Sequence, residues 1–219
     1  TKIVDFCIKC EGEEDIEIFN KEKHIFIQLK SSVIGKSDFA DILEHYLTLN
    51  SDNTSTENFF VLTSFVPIRI NEKNFKEYLD DYVKVLVNPY ETDEKKNQVK
   101  DALISNFALS KYADIIDKVR VEVRPLFKDS KDTKAIFGRY LRLNYIFKDP
   151  GDIIVDNLYT NLTTKFAELR RKRGAITRAE LEEVVNSAIS KGSIFSGLSL
   201  SVGYSKIENG YVENEQKVK

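Results

Sequence analysis

Residues 14–30, EDIEIFNKEKHIFIQLK, decide the fold. Both halves of this stretch alternate with period two. Ile16 and Ile18 oppose Asp15 and Glu17; then Ile25, Ile27 and Leu29 oppose Phe26, Gln28 and Lys30. Such alternation marks β-strands whose two faces meet different surroundings. Asn20-Lys21-Glu22-Lys23 is a polar turn, so the two halves read as an antiparallel hairpin. With the turn there, position 17 lies opposite roughly position 26, and 15 opposite roughly 28. Directly opposed side chains have Cβ atoms about 5 Å apart, and diagonal neighbours about 7–8 Å apart. Acidic groups from one strand can therefore meet an amide and an ammonium from the next.

Upstream, Val4, Phe6, Ile8 and Cys10 alternate with Asp5, Cys7 and Lys9, which predicts a further strand broken by Glu11-Gly12. Downstream, Ser37 or Asp38 can cap a helix. Phe39, Ile42, Leu43, Tyr46 and Leu47 follow the spacing of one apolar helix face. A polar loop over 50–58 leads to Phe59-Phe60-Val61-Leu62-Thr63, read as a central strand buried on both faces. The order is β-β-β-α-β with a mixed sheet, an α/β chain of the α+β kind. After Pro67 the chain reads as mostly helical. Phe75, Leu79, Tyr82, Val83 and Leu86 mark one helix, and residues 92–108 another. Val119, Val121 and Val123 suggest a short strand, and residues 132–146 a helix. Ile154, Leu158, Leu162, Phe166 and Leu169 mark a long helix. Thr177-Arg178-Ala179-Glu180 is a capping box opening the last one, with Leu181, Val184, Val185, Ala188 and Ile189 facing inward. The expected division is a core over 1–70, a helical portion over 71–190 and a tail or linker over 191–219.

Hydrolysis of a phosphodiester needs a divalent cation to activate water and to stabilise charge on phosphoryl oxygen. Mg²⁺ prefers carboxylate, carbonyl and water oxygens. A lysine beside the scissile phosphate offsets the developing charge. Asp15 and Glu17 can supply the carboxylates, the Leu29 carbonyl a further oxygen, and Gln28 and Lys30 the amide and the ammonium. The competing reading is the solvated face of an ordinary hairpin, held by cross-strand charge pairs.

Residues Glu11–Ile18 and Ile25–Ser32 resemble the PD-(D/E)XK nuclease superfamily. The likeness is to the branch with Gln-x-Lys in place of Glu-x-Lys, here Gln28-Leu29-Lys30. More narrowly they resemble the double-stranded DNA endonuclease domain of bacterial antiviral effectors, including those of CBASS systems. Ser37–Leu49, Phe59–Phe65 and Ile176–Leu181 fit the order of that domain. The resemblance implies a restriction-endonuclease-like core and a Mg²⁺- or Mn²⁺-dependent deoxyribonuclease with little sequence specificity. It makes Lys30 the catalytic lysine and puts Gln28 in place of the second acid. Asp15 reads as the main metal carboxylate; Glu17 fits equally if the register follows the family's Ile-Asp pair, here Ile16-Glu17, and Glu11 is a weaker third. It also implies switching by homo-oligomerisation, or by a sensor or NTPase partner. The alternative is an inactive nuclease-like module that only binds DNA or protein. The family's first helix, which precedes the first strand, is missing here, and Glu17 stands where Asp is usual.

Composition bounds the rest. With 42% apolar residues, 219 residues can build a sizeable core. The net charge of −2 excludes DNA wrapping by bulk charge, so contacts with duplex must come from local patches. Arg170-Arg171-Lys172-Arg173 is the densest such patch, with Arg178 nearby; Arg139 and Arg142, interleaved with Tyr140 and Tyr145, form a weaker one. A solvated helix end is the plain reading of the first. Two cysteines, Cys7 and Cys10, and no long apolar run point to a cytoplasmic protein without a membrane span. His24 and His45 have no triad context and read as structural or solvent-facing. The absence of Met suggests that the native start is missing.

Overall fold

In the computed structural model, residues 5–124, 130–144 and 151–195 are described. The hairpin forms as its alternation dictates. Strand β1 (Cys7–Cys10) pairs antiparallel with β2 (Ile16–Phe19), which pairs antiparallel with β3 (Lys23–Lys30). Glu17 lies opposite Phe26 and Ile16 opposite Ile27, the register expected from the turn. Asn20 closes the turn, its side chain accepting from the amides of Glu22 and Lys23 at 2.9 and 2.7 Å. Strands β1 and β2 are both shorter than expected, β2 beginning at Ile16; Val4 lies outside the described residues.

Helix α1 (Lys36–Asp52) carries the chain across to β4 (Glu57–Ser64), which pairs parallel with β3. A parallel pair needs such a crossover. The helix starts earlier than either expected cap, Ser37 or Asp38, would set it. Gly35 is the N-cap, and Asp38 sits a turn inside, where its carboxylate accepts from the Gly35 amide at 3.0 Å. The face predicted for α1 is the buried one: Phe39, Ile42, Leu43 and Tyr46 are all within 5% exposure. Strand β4 differs from the expectation of two buried faces. Asn58, Phe60, Leu62 and Ser64 are buried, whereas Phe59, Val61 and Thr63 are half-buried, so α1 covers one side only.

Arg69–Ile70 (β5) and Lys73–Asn74 (β6) form a small hairpin not foreseen in the sequence. Its two turn residues, Asn71 and Glu72, take φ of 51° and 64°, the pairing of positive angles of a tight primed turn. Asn-Glu lacks the glycine that usually signals such a turn. Helices α2 (Phe75–Val87) and α3 (Asp93–Phe107) follow, and β7 (Val119–Val123) pairs parallel with β4. Across this part the strand order is β7-β4-β3-β2-β1. One core joins Phe26, Phe60, Leu43 and Tyr46 to Phe75, Leu79, Tyr82, Leu103 and Val121. The first compact unit therefore runs over Thr1–Leu126 rather than 1–70. The reason is physical: β4 is central only because β7 pairs on its far side, and α2 and α3 share its core.

The second unit, Phe127–Lys219, contains α4 (Ser130–Asn144), α5 (Gly151–Lys172), the short strand β8 (Ala175–Thr177) and α6 (Arg178–Phe195). Val155, Leu158 and Ala188 form its core, with Phe137, Leu162 and Val185 against it. The capping box is present: Glu180 accepts from the Thr177 amide at 2.8 Å, and the Glu180 amide reaches Thr177 Oγ1 at 3.3 Å. Thr177→Ala is expected to cost about 1 kcal/mol, read as a lower denaturant midpoint, with Thr177→Asp restoring most of it. The tail expected over 191–219 lies outside the described residues from 196 onward.

Candidate metal and active site

The chemistry gathers where β2 begins and β3 ends. Residues 11–15 are not strand but a tight loop. Glu11 sits in the left-handed region at φ 54°, and its amide donates to the Asp15 carbonyl at 3.0 Å; the Gly12 amide donates to the Glu14 carbonyl at 3.1 Å. This loop breaks the parity of the alternation. Glu14, placed by period two beside Ile16, instead turns into the protein and is only 6% exposed. Asp15 reaches across to β3, its Oδ2 accepting from the Leu29 amide at 2.7 Å.

The two acids grouped by sequence thus part company. The Glu17 carboxylate is buried at 3% exposure and fully engaged. It accepts from the Glu13 amide at 2.7 Å, meets His24 Nε2 at 2.9 Å and lies 3.6 Å from Lys9 Nζ. His24 is held in turn by stacking on Phe26, centroids 3.8 Å apart. Burial pushes the Glu17 carboxyl up, but the bond with His24, the Glu13 amide and the Lys9 charge outweigh it, and it is held below the usual carboxylate range. Glu17 is the ion that ties the 11–15 loop to the hairpin. His24 has the structural role expected of it.

Glu14 is the reverse case. Burial raises its pKa to about 7, and the neighbouring Asp15 and Glu17 carboxylates push the same way against Lys30 and a hydrogen bond with Gln28. Its Oε1 has no hydrogen bond of good geometry, although His45 Nε2 on α1 approaches to 3.3 Å. The Gln28 Oε1 is likewise buried and unpartnered. A cleft of about 350 Å³ opens beside them, lined by Gln28, Lys30, Val33, Asp38, Asp41 and His45. The structure therefore brings Gln28, Lys30 and Asp15 to one corner and adds Glu14 and His45, which sequence reading passed over. Glu14 was hidden because the alternation was carried one turn too far. His45 was hidden because nothing local on α1 shows which strand end it faces. Leu29 contributes its amide to Asp15, and Glu11 shapes the loop.

The Glu14 carboxyl and the Gln28 amide offer buried hard oxygens here, with Asp15 beside them. Mg²⁺ is commonly held by one or two carboxylates and keeps several waters. Among the described residues, no three His, Cys, Asp or Glu side chains converge as a metal-holding group. The acidic Glu14 gives a direct readout. In metal-free protein its raised pKa contributes stability that is complete below pH 4.5 and lost as pH climbs through about 7. Between pH 5 and 8 the fall is expected to be on the order of 2 kcal/mol. Glu14→Gln should flatten this part of the profile, as measured by denaturant midpoints.

The remaining candidates lie elsewhere. Cys7 and Cys10 are not joined in a disulfide. Arg170, Arg171, Lys172 and Arg173 are exposed at the end of α5, where Lys172 pairs with Glu168 at 2.6 Å. Arg173 takes the left-handed position that stops the helix, at φ 48°. Arg139 is exposed; the side chains of Tyr140, Arg142 and Tyr145 lie outside those described. Among the described residues no helix is long and apolar enough to cross a membrane.

A mixed sheet crossed by one helix, with an acid–amide–lysine corner at its strand ends, defines an α+β fold. That fold is shared with Cap4 SAVED/CARF-domain containing receptors. The Acinetobacter baumannii receptor solved with the cyclic trinucleotide 2'3'3'-cAAA matches at TM-score 0.62 and 16% identity, over 85% of this chain and 40% of that one. The same receptor with 3'3'3'-cAAA matches at 0.62 and 15%, over 94% and 45%. The Moraxella osloensis receptor matches at 0.63 and 14%, over 86% and 43%. The chain thus spans less than half the length of these receptors. No family model and no curated protein matches the sequence.

Proposed function

We propose that this chain is the DNA-cutting part of a bacterial antiviral effector: a Mg²⁺- or Mn²⁺-dependent endonuclease that hydrolyses double-stranded DNA with little sequence preference. The observation that carries the reading is the corner where Gln28 presents a buried oxygen without a hydrogen bond, the buried Glu14 carboxyl meets His45 at 3.3 Å, and Asp15 lies beside them, with Gln28 and Lys30 lining one cleft. The fold shared with Cap4 receptors supports the defence setting.

A divalent cation bound at this corner supplies Lewis-acid stabilisation of a phosphoryl oxygen and a more acidic water. Glu14 and Asp15 bind it, and Gln28 orders the oxygens around it. Lys30 stabilises charge building on the phosphate at the mouth of the cleft. The Leu29 amide fixes Asp15 in place. Glu17 stays a structural ion in this scheme, and Glu11 a loop former. The cluster Arg170–Arg173 offers phosphate-backbone contacts that position duplex without reading its bases. Oligomerisation, or a sensor partner or domain, switches the cutting on.

The test is incubation of supercoiled plasmid with the protein and Mg²⁺ or Mn²⁺. Nicked and linear products that vanish with chelator are expected. A second reading is favoured by the cyclic trinucleotides held by the Acinetobacter baumannii receptor in two structures: the chain binds a cyclic oligonucleotide and cuts nothing. It predicts calorimetric uptake of the trinucleotide by this chain and intact plasmid under every metal.

A further inference from the structure

Strand β7 stands at the end of the strand order, paired with β4 on one side and with no strand on its other side among the described residues. The Arg124 amide, just past the strand, donates to the Ser64 carbonyl of β4 at 2.9 Å. Backbone direction alternates along a strand. Arg120, Glu122 and Arg124 therefore turn their N–H and C=O groups to β4, and Val119, Val121 and Val123 turn theirs outward. At the start of this edge the Val119 amide donates to the Ile116 carbonyl, and the Val119 carbonyl accepts from Arg120 Nη1 at 2.7 Å. The amide and carbonyl of Val121, at the middle, meet no strand among the described residues. Proteins commonly blunt such an edge with a lysine, a proline or a bulge. The sequence Val119-Arg120-Val121-Glu122-Val123 has neither lysine nor proline, and its register with β4 is unbroken.

That sequence complements itself about Val121. When two copies lie antiparallel with Val121 against Val121, each Arg120 falls opposite the Glu122 of the other copy. Val119 and Val121 point into the core beside Phe60 and Leu62, so Arg120 and Glu122 stand together on the opposite, half-buried face. Within the chain Glu122 meets Arg124 at 2.8 Å, an exposed pair of small worth that a cross-strand partner can join or replace. Charge also selects the register. Centring the seam on Glu122 or on Arg120 sets like charges directly opposite, which is unfavourable.

We propose that β7 is a pairing edge for a second copy of this chain, joined antiparallel about a two-fold axis at Val121 with two Arg120–Glu122 pairs across the seam. A two-fold contact must be made by one patch that complements itself, and this strand does so in backbone direction and in charge. The seam uses none of the residues that line the cleft, so the inference does not depend on the nuclease reading.

The test is sedimentation velocity of the full chain over a range of concentrations. A species of twice 25.2 kDa, growing in share with concentration, is expected. Arg120→Glu and Glu122→Arg should each weaken pairing about 10- to 100-fold, because like charges then face each other at both positions. An equimolar mixture of the two variants should pair again at near the original strength, each acid of one chain meeting an arginine of the other. Hydrogen exchange needs no substitution: the Val121 amide should exchange more slowly as concentration rises. Arg120→Glu also gives up the bonds to the Asp117 and Val119 carbonyls, so exchange decides the matter if that variant does not fold. The proposal is overturned by a single copy throughout the soluble range, by variants that pair as tightly as the unaltered chain, by a mixture no tighter than its components, or by Val121 exchange that concentration does not move.

Discussion

Lys30→Ala should lower Mg²⁺-dependent plasmid cleavage by about 100- to 1,000-fold, corresponding to roughly 3–4 kcal/mol of lost transition-state stabilisation. The argument is one of position. Lys30 is the last residue of β3, paired with Ser64 of β4, and its side chain lines the cleft beside Gln28. It is only half-buried, so its removal should leave the melting temperature within about a degree or two, as for surface changes of small ΔΔG. Asp15→Ala should be as damaging to cutting but less neutral to folding, since it also frees the Leu29 amide. Asp15→Asn keeps an oxygen for that amide and separates the two effects. Glu14→Gln should abolish cutting while stabilising metal-free protein above pH 7, where the native carboxyl would otherwise ionise in its buried place. Equal rates for Lys30→Ala, Asp15→Ala and the unaltered chain would remove this corner from the chemistry.

The second large effect concerns folding. A methyl group at position 12 would stand 1.7 Å from Glu17 Oε1 and 2.9 Å from the Lys9 side chain. The carboxylate is the mobile end of its side chain, but it is not free to move: the Glu13 amide, His24 and Lys9 all hold it. Gly12→Ala should therefore cost about 2–4 kcal/mol, the range for breaking a buried, hydrogen-bonded ion network. Glu17→Ala should cost a similar amount by removing the same contacts from the other side. The pair should be far from additive, because Gly12→Ala has little left to displace once the carboxylate is gone. Chemical denaturation of the two single variants and the double variant measures this directly; fully additive costs would show that Glu17 does not hold the loop. The pH profile offers a check. Glu17 has its pKa lowered, so its stabilisation is present above pH 4.5 and lost on acidification, opposite in sign to that of Glu14.

Period-two alternation over residues 14–30 was enough to set the hairpin, its register and the sharing of one face by Glu17, Phe26, Gln28 and Lys30. The reason is that a strand's side-chain direction is a local property: once the turn at Asn20 is placed, each position's face and opposite number follow. The helix faces of α1 and α2 and the Thr177 cap were legible for the same kind of reason. What the linear pattern could not carry was the loop at 11–15. There backbone hydrogen bonds and a positive φ at Glu11 reset the parity, turning Glu14 inward. Nor could it show that His24 and Lys9 would claim the Glu17 carboxylate, or that α1 would bring His45 to Glu14. Those are contacts between side chains far apart along the chain, and only packing decides them. The same holds for β7: its valine alternation marks a strand, but nothing local shows that it pairs with β4, makes β4 central and extends the first unit to Leu126. Sequence alone thus determined which strand ends meet; tertiary structure decided which acid is buried against α1 and which one holds the loop.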